Sequence, residues 1–375
     1  MRHTLAIATA LLLAGSACAQ PAPAERSFLP ADGRVSFTIE PSGRENMVQF
    51  QLSRREGNHH WAHGRSIDVA ALQGFAAADG PVRFRLVRDA GTIDCDGVMR
   101  AGRAIGECAF SADQAFSALL AERGISAPSR DQSFSMAMSD IGRAYLEELA
   151  RQRYETPTAA ELARAGDHGV RLDYLVAMGG HGYRAGRLGA LIRMRDHGVT
   201  PDYVAELARL GVRNVPADAI VRLRDHGVRP EFVAELRSLG YQGLPIEQLI
   251  RLRDHAVTAA FVRGLAEQGV RGVPPEELVR MRDHGVSAEL VGALRATSIA
   301  NLDTDGIVRI RAHGVTASYV TALRELGYSG ISAEQLVHLR SHGVSTGFIR
   351  RVNGDGVRRS PEELVALRNG GYASN

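Results

Sequence analysis

The sequence predicts an α+β multidomain protein. A small antiparallel β-domain over residues 33–110 precedes an α-solenoid of 29-residue helix-pair repeats over residues 111–375, with degenerate end units. Three observations predict it. A His-Gly-Val motif, with Ala256 once replacing Gly, recurs at a fixed step at His197, His226, His255, His284, His313 and His342, and His168 keeps the step upstream. A period of that length marks units that stack on their neighbours. Apolar residues between Gly33 and Phe110 alternate with polar ones, which is strand spacing. Beyond Phe110 the apolar period changes to three and four, which is helical.

In chain order, residues 1–19 read as a signal peptide. Arg2 and His3 form a short basic region, Leu5 to Ala14 an apolar run broken only by Thr9, and Ala17-Cys18-Ala19 a cleavage site. The run is too short to span a bilayer, so the expected location is periplasmic or secreted. The alternative is a lipoprotein anchored at Cys18, the one route to membrane contact, although Gly15-Ser16-Ala17 lacks the leucine usual three residues before such a cysteine. Residues 20–32, with three prolines, read as a linker.

In the β-domain, Val35, Phe37 and Ile39 alternate with polar neighbours, as do Val48, Phe50 and Leu52, then Val82, Phe84 and Leu86, then Ile93 and Cys95. Asp89-Ala90-Gly91 reads as a turn. Val69 to Phe75 reads as a connection, helix or strand. A two-residue turn at Ala101-Gly102 sets Arg100 opposite Arg103. Counting outward then sets Cys95 opposite Cys108, within disulfide reach. An even cysteine count in an oxidising compartment agrees.

In the repeats, each unit begins at the residue after His-Gly: Val170, Val199, Val228, Val257, Val286, Val315 and Val344, with Ile141 upstream. Four residues on stand Tyr145, Tyr174, Tyr203, Phe232, Phe261, Leu290, Tyr319 and Phe348; four further stand Leu149, Met178, Leu207, Leu236, Leu265, Leu294, Leu323 and Val352. A second helix carries Leu162, Leu191, Ile220, Leu249, Leu278, Ile307 and Leu336. Thr200-Pro201-Asp202 and Ser360-Pro361-Glu362-Glu363 are start signals. The caps His197-Gly198, His226-Gly227 and His284-Gly285 are stops, with glycine left-handed and valine folding back. Phe116, Leu120 and Gly124 extend the first-helix pattern upstream, but Arg130–Asp140 fits the second helix poorly. The array is expected to run from about Ala112 to Tyr372.

Motifs such as Ile250-Arg251-Leu252-Arg253-Asp254-His255 resemble short bacterial α-repeats of the "RDHGV" type, found in secreted proteins and in extracytoplasmic tails of some BlaR-type metallopeptidase-like receptors. The resemblance covers Ile141 to Tyr372, and the hairpin Asp89 to Phe110 is similar to a β-module that accompanies such repeats. It implies no peptidase activity, because a His-Glu-x-x-His signature is absent.

A net charge of +3 is too mild to argue for nucleic acid, and every basic side chain other than histidine is arginine. The Asp-His pairs repeat, whereas an active site needs one special place, so they read as structural: imidazole in the last helical turn favours the dipole, and Asp bonds nearby backbone or arginine. His59, His60 and His63 beside Trp61 read as a polar loop, with a metal site or enzyme built on that cluster as the alternative. Arginines form two rows. Arg193, Arg222, Arg251, Arg280 and Arg309 are expected to line an anion-reading groove; Arg195, Arg224, Arg253, Arg282, Arg311 and Arg340 form the other. The expected function is non-enzymatic binding or scaffolding, without cofactor, toward a protein or anionic envelope ligand.

Overall fold

A computed structural model describes residues 28–370, except 31–32, 185, 298 and 300–301. The signal segment, Cys18, most of the linker and Tyr372 lie outside the described residues. The chain divides into two compact units: the described residues of Met1–Leu119 with Ala127–Met138, and those of Leu120–Ser126 with Ser139–Asn375.

The first unit holds the sheet. Its strands are β1 (Arg34–Pro41), β2 (Met47–Glu56), β3 (His59–Asp68), β4 (Leu72–Gln73), β5 (Gly80–Arg88), β6 (Gly91–Arg100) and β7 (Arg103–Ala112). All ladders are antiparallel, in the order β3-β2-β1-β7-β6-β5-β4. Every alternating apolar set from the sequence faces the core: Phe37, Ile39, Phe50, Leu52, Phe84, Leu86 and Ile93 are 2% exposed or less.

The sheet is curled. Three strand steps separate Phe37 on β1 from Phe84 on β5, roughly 14 Å in a flat sheet. Their ring centroids are 5.2 Å apart, edge to face. Glycines at Gly97 and Gly106, a directly opposed pair, permit this approach. A Cβ on Gly106 would stand 2.7 Å from Phe37 Cε1 and 2.2 Å from the Asp96 carbonyl.

The hairpin counting holds. Arg100 faces Arg103 across Ala101 and Gly102, both at positive φ (48° and 77°), as a type I′ turn requires. Cys95 faces Cys108 with Cα atoms 4.1 Å apart, and the two are disulfide-bonded. The connection after β3 is a 3₁₀ turn (Val69–Ala71) followed by β4.

One expectation is corrected. His59–His63 is not a polar loop but the start of β3, paired with β2 from Glu56↔His59 to Leu52↔His63. An edge strand needs few buried side chains, and among the described side chains of β3 only Ile67 is buried. The apolar alternation that identifies inner strands is therefore missing here.

Helix α1 (Gln114–Glu122) and helix α2 (Arg130–Ser139) follow the sheet. Residues 133–139 of α2 are all buried. Phe134 stacks on Phe28, centroids 5.1 Å apart, and meets Phe110 edge-on. A helix buried on every side carries no amphipathic stripe, so its sequence does not match the repeat.

Helix pairs α3 and α4 (Arg143–Arg151, Ala159–Asp167), α5 and α6 (Leu172–Gly180, Leu188–Asp196), α7 and α8 (Pro201–Arg209, Ala217–Asp225), and α9 and α10 (Pro230–Ser238, Ile246–Asp254) begin the second unit. They continue with α11 and α12 (Ala259–Glu267, Pro275–Asp283), α13 and α14 (Ala288–Ala296, Thr304–Ala312), α15 and α16 (Ala317–Glu325, Ala333–Ser341), and α17 and α18 (Thr346–Val352, Pro361–Asn369). First helices pack on first helices, from α3 to α17, and second on second, from α4 to α18. That is the α-solenoid the period predicts.

The predicted core positions are all buried: the residue after His-Gly is at most 1% exposed in every repeat, and its aromatic or leucine partner four on at most 9%. Helix starts are capped by Thr200, Thr258, Ser287, Thr316 and Ser345, whose side chains accept from the amide three residues on. At the stop after α6, the Val199 amide bonds the Met194 carbonyl and the Gly198 amide the Arg195 carbonyl, 2.9 and 3.0 Å. This double return is the Schellman motif, with Gly198 at φ 69°. Where Gly gives way to Ala256, the backbone stays left-handed at φ 53°.

Candidate functional site

The repeat motif places histidine at the helix C-cap, one step beyond the last turn: His197, His226, His255 and His284 all cap second helices. From there the ring reaches forward to the next repeat. His168 Nδ1 lies 2.6 Å from Asp196 Oδ1, and His197, His226 and His255 lie 2.7 Å from Asp225, Asp254 and Asp283. Each Asp therefore serves the histidine 28 residues before it rather than its sequence neighbour. The ladder changes where the carboxylate is replaced. Position 312, due to meet His284, is Ala. Ser341 meets His313 at 3.3 Å, and His342 turns back to the His338 carbonyl.

The arginine rows separate because residues two apart point to different faces of a helix. The row at Arg195 lies against the first helices of the repeats. Arg195 and Arg224 lie 5.3 and 5.1 Å over the rings of Tyr174 and Tyr203, and Arg253, Arg282 and Arg340 cover Phe232, Phe261 and Tyr319 in the same way. Arg282, Arg311 and Arg340 also donate from Nε to the carbonyls of Ala256, Gly285 and Gly314, the left-handed residues one repeat earlier. The tyrosines complete the clasp: Tyr174, Tyr203 and Tyr319 donate their hydroxyls to the carbonyls of Val199, Val228 and Val344. Burial pushes the Tyr174 and Tyr203 hydroxyls up, against the opposing pull of Arg195 and Arg224.

The row expected to line a groove lies on the exposed face of the second helices and carries carboxylate partners. Arg193 pairs with Asp218, Arg222 with Glu247, Arg251 with Glu276, Arg280 with Asp305 and Arg309 with Glu334, each reaching the first turn of the next second helix. The arginine side chains remain 43–56% exposed. Arg222 and Glu247 form a forked pair, both contacts 2.7 Å. Its hydrogen bonding holds the Glu247 carboxyl below its ordinary range and raises Arg222. Glu334 is lowered first by its own backbone amide and then by Arg309. The face is thus a band of alternating charge at one-repeat spacing, not a purely cationic groove. The sequence hint was there: Asp218, Glu247, Glu276, Asp305 and Glu334 all stand 25 residues after an arginine of the row.

His59, His60 and His63 all fall on β3. Strand alternation sends His60 and His63 to opposite faces. The His63 ring packs edge-on against Phe28 and Phe134, centroids 4.6 and 5.8 Å away. Among the described residues, no group of three or more His, Cys, Asp or Glu is gathered for a metal ion.

Among the described residues, no helix is long and apolar enough to cross a membrane, and the disulfide fits an oxidising, extracytoplasmic environment. No family model matches the chain. No curated protein matches it.

Proposed function

We propose that this is a non-enzymatic binding or scaffold protein of the periplasm or the secreted fraction. Its helical array offers one repeated surface to a protein or anionic envelope ligand. The observation that carries the reading is the exposed ladder from Arg193 to Arg309, in which each repeat presents the same guanidinium at the same spacing. Exposed ion pairs are worth little against solvent, so an extended polyanion can take the place of the intramolecular carboxylates, repeat after repeat, and gain by multivalency. The Asp-His pairs support the same reading, because their chemistry is spent in holding one repeat to the next. The mature chain is free in its compartment or, if Cys18 is lipidated, tethered to a membrane.

The test is binding of dextran sulfate, as a soluble polyanion, to the full chain across a salt series. Binding at low salt that weakens as salt rises is expected. Arg222→Gln, Arg251→Gln and Arg280→Gln together should abolish it while helical circular dichroism stays intact. No affinity at low salt overturns the reading.

A further inference from the structure

The grooves between successive repeats are built alike, but two neighbours differ in size. The groove between the α5–α6 loop and the α7–α8 loop encloses about 580 Å³. Its counterpart one repeat on, lined by Val212, Leu236, Tyr241 and Leu249, encloses about 310 Å³. Several equivalent positions differ between them, among them Val212 and Tyr241, Ala217 and Ile246, and Ala208 and Arg237. Arg237 lines the smaller groove and donates across it to the Leu210 carbonyl. The equivalent residue in the larger groove is Ala208. The alanine leaves open the space into which the arginine reaches next door, where the larger Tyr241 and Ile246 also narrow the groove.

The open groove is polarised. Leu191, Met194 and Ile220, each 2% exposed or less, form its floor. Its rim carries His181, Arg184, Arg187 and Arg213, and no carboxylate occurs among its described lining residues. Arg184 and Arg213 each give their Nε to a carbonyl at the end of their own repeat's first helix, Gly179 at 2.6 Å and Ala208 at 2.9 Å. Those bonds hold the two guanidiniums at the mouth. Arg187 pairs with Glu155 outside the groove at 3.2 Å, with side chains 80% and 62% exposed. A pair that exposed contributes little and yields readily to a better-placed anion. Apolar floor, few polar groups and this volume are the properties of small-molecule sites.

We propose that this groove binds a small amphipathic anion. A carboxylate or phosphate head is held by Arg184, Arg187 and Arg213 through charge-assisted hydrogen bonds, and an apolar body lies over Leu191, Met194 and Ile220. The site is separate from the repeated ladder and takes one small molecule rather than a polymer.

The test is fluorescence titration of the full chain with dansyl-undecanoate at low salt, with decanoate, decyl phosphate and decanol as competitors. Saturable binding at one site is expected, displaced by the two anions and not by decanol. Whichever anion displaces at the lower concentration identifies the head group. Ala208→Arg copies the residue of the next groove and should weaken binding by about tenfold or more without changing the melting temperature. Arg213→Gln, at an exposed position, should weaken it comparably. The Arg222, Arg251 and Arg280 triple variant should leave it unchanged, which separates this site from the ladder. Absence of saturable binding, equal displacement by decanol, or full affinity in Ala208→Arg and Arg213→Gln overturns the proposal.

Discussion

His226 Nδ1 stands 2.7 Å from Asp254 Oδ1, across the boundary between two repeats. The two side chains are 39% and 45% exposed, so solvent screens the pair. A double-mutant cycle on His226→Ala and Asp254→Ala is expected to give a coupling of about 0.5 kcal/mol, read from urea unfolding. Zero coupling would mean that the repeats are joined without this contact.

Ala256 holds a left-handed backbone at φ 53°, in a place where other repeats carry glycine. A side chain there costs about 1–2 kcal/mol, partly offset by the smaller entropy of the unfolded alanine chain. Ala256→Gly should therefore stabilise the protein by about 0.5–1 kcal/mol. A lower urea midpoint for the variant would contradict the assignment of strain.

Arg222 and Arg224 lie two residues apart on α8 and should behave oppositely. Arg224 covers the Tyr203 ring at 5.1 Å, so Arg224→Gln should cost about 1 kcal/mol. Arg222 forms an exposed ion pair, and Arg222→Gln should leave the unfolding midpoint unchanged. Equal losses from both variants would erase the distinction between the rows.

Burial pushes the hydroxyls of Tyr154, Tyr183 and Tyr319 up to about 12 from an ordinary 10.0, with Arg340 opposing at Tyr319. The unfolded chain therefore loses these protons first. The stability they add is complete below pH 10 and is lost as pH rises toward 12. Phenolate absorbance and helical circular dichroism, followed together, should change together above pH 10. Complete phenolate formation near pH 10 with the helices intact would refute this.

The repeat was legible residue by residue because its determinants are local. Helix spacing, hydroxyl caps and the Gly-Val return act within about ten residues, and all recur at one step. The same holds for the Cys95–Cys108 pair, since a two-residue turn dictates every register position outward from Ala101-Gly102. Edge strand β3 carries no apolar alternation because few of its described side chains are buried, and α2 departs from the repeat pattern because residues 133–139 are all buried. Neither has a face for a pattern to mark.

The sequence by itself determined the period, the caps, the core positions and the disulfide register. Only the tertiary structure decided which partner each polar side chain takes. Asp254 reaches His226 rather than His255, Arg222 reaches Glu247, and Arg224 reaches Tyr203. The first two contacts cross from one repeat to the next, and the third joins the two helices of one repeat; all depend on how the helices stack, which no residue spacing within a helix specifies. The groove beside Ala208 belongs to the same class. Small side chains such as Ala208 and Ala217 border a cavity only once two repeats have closed around them.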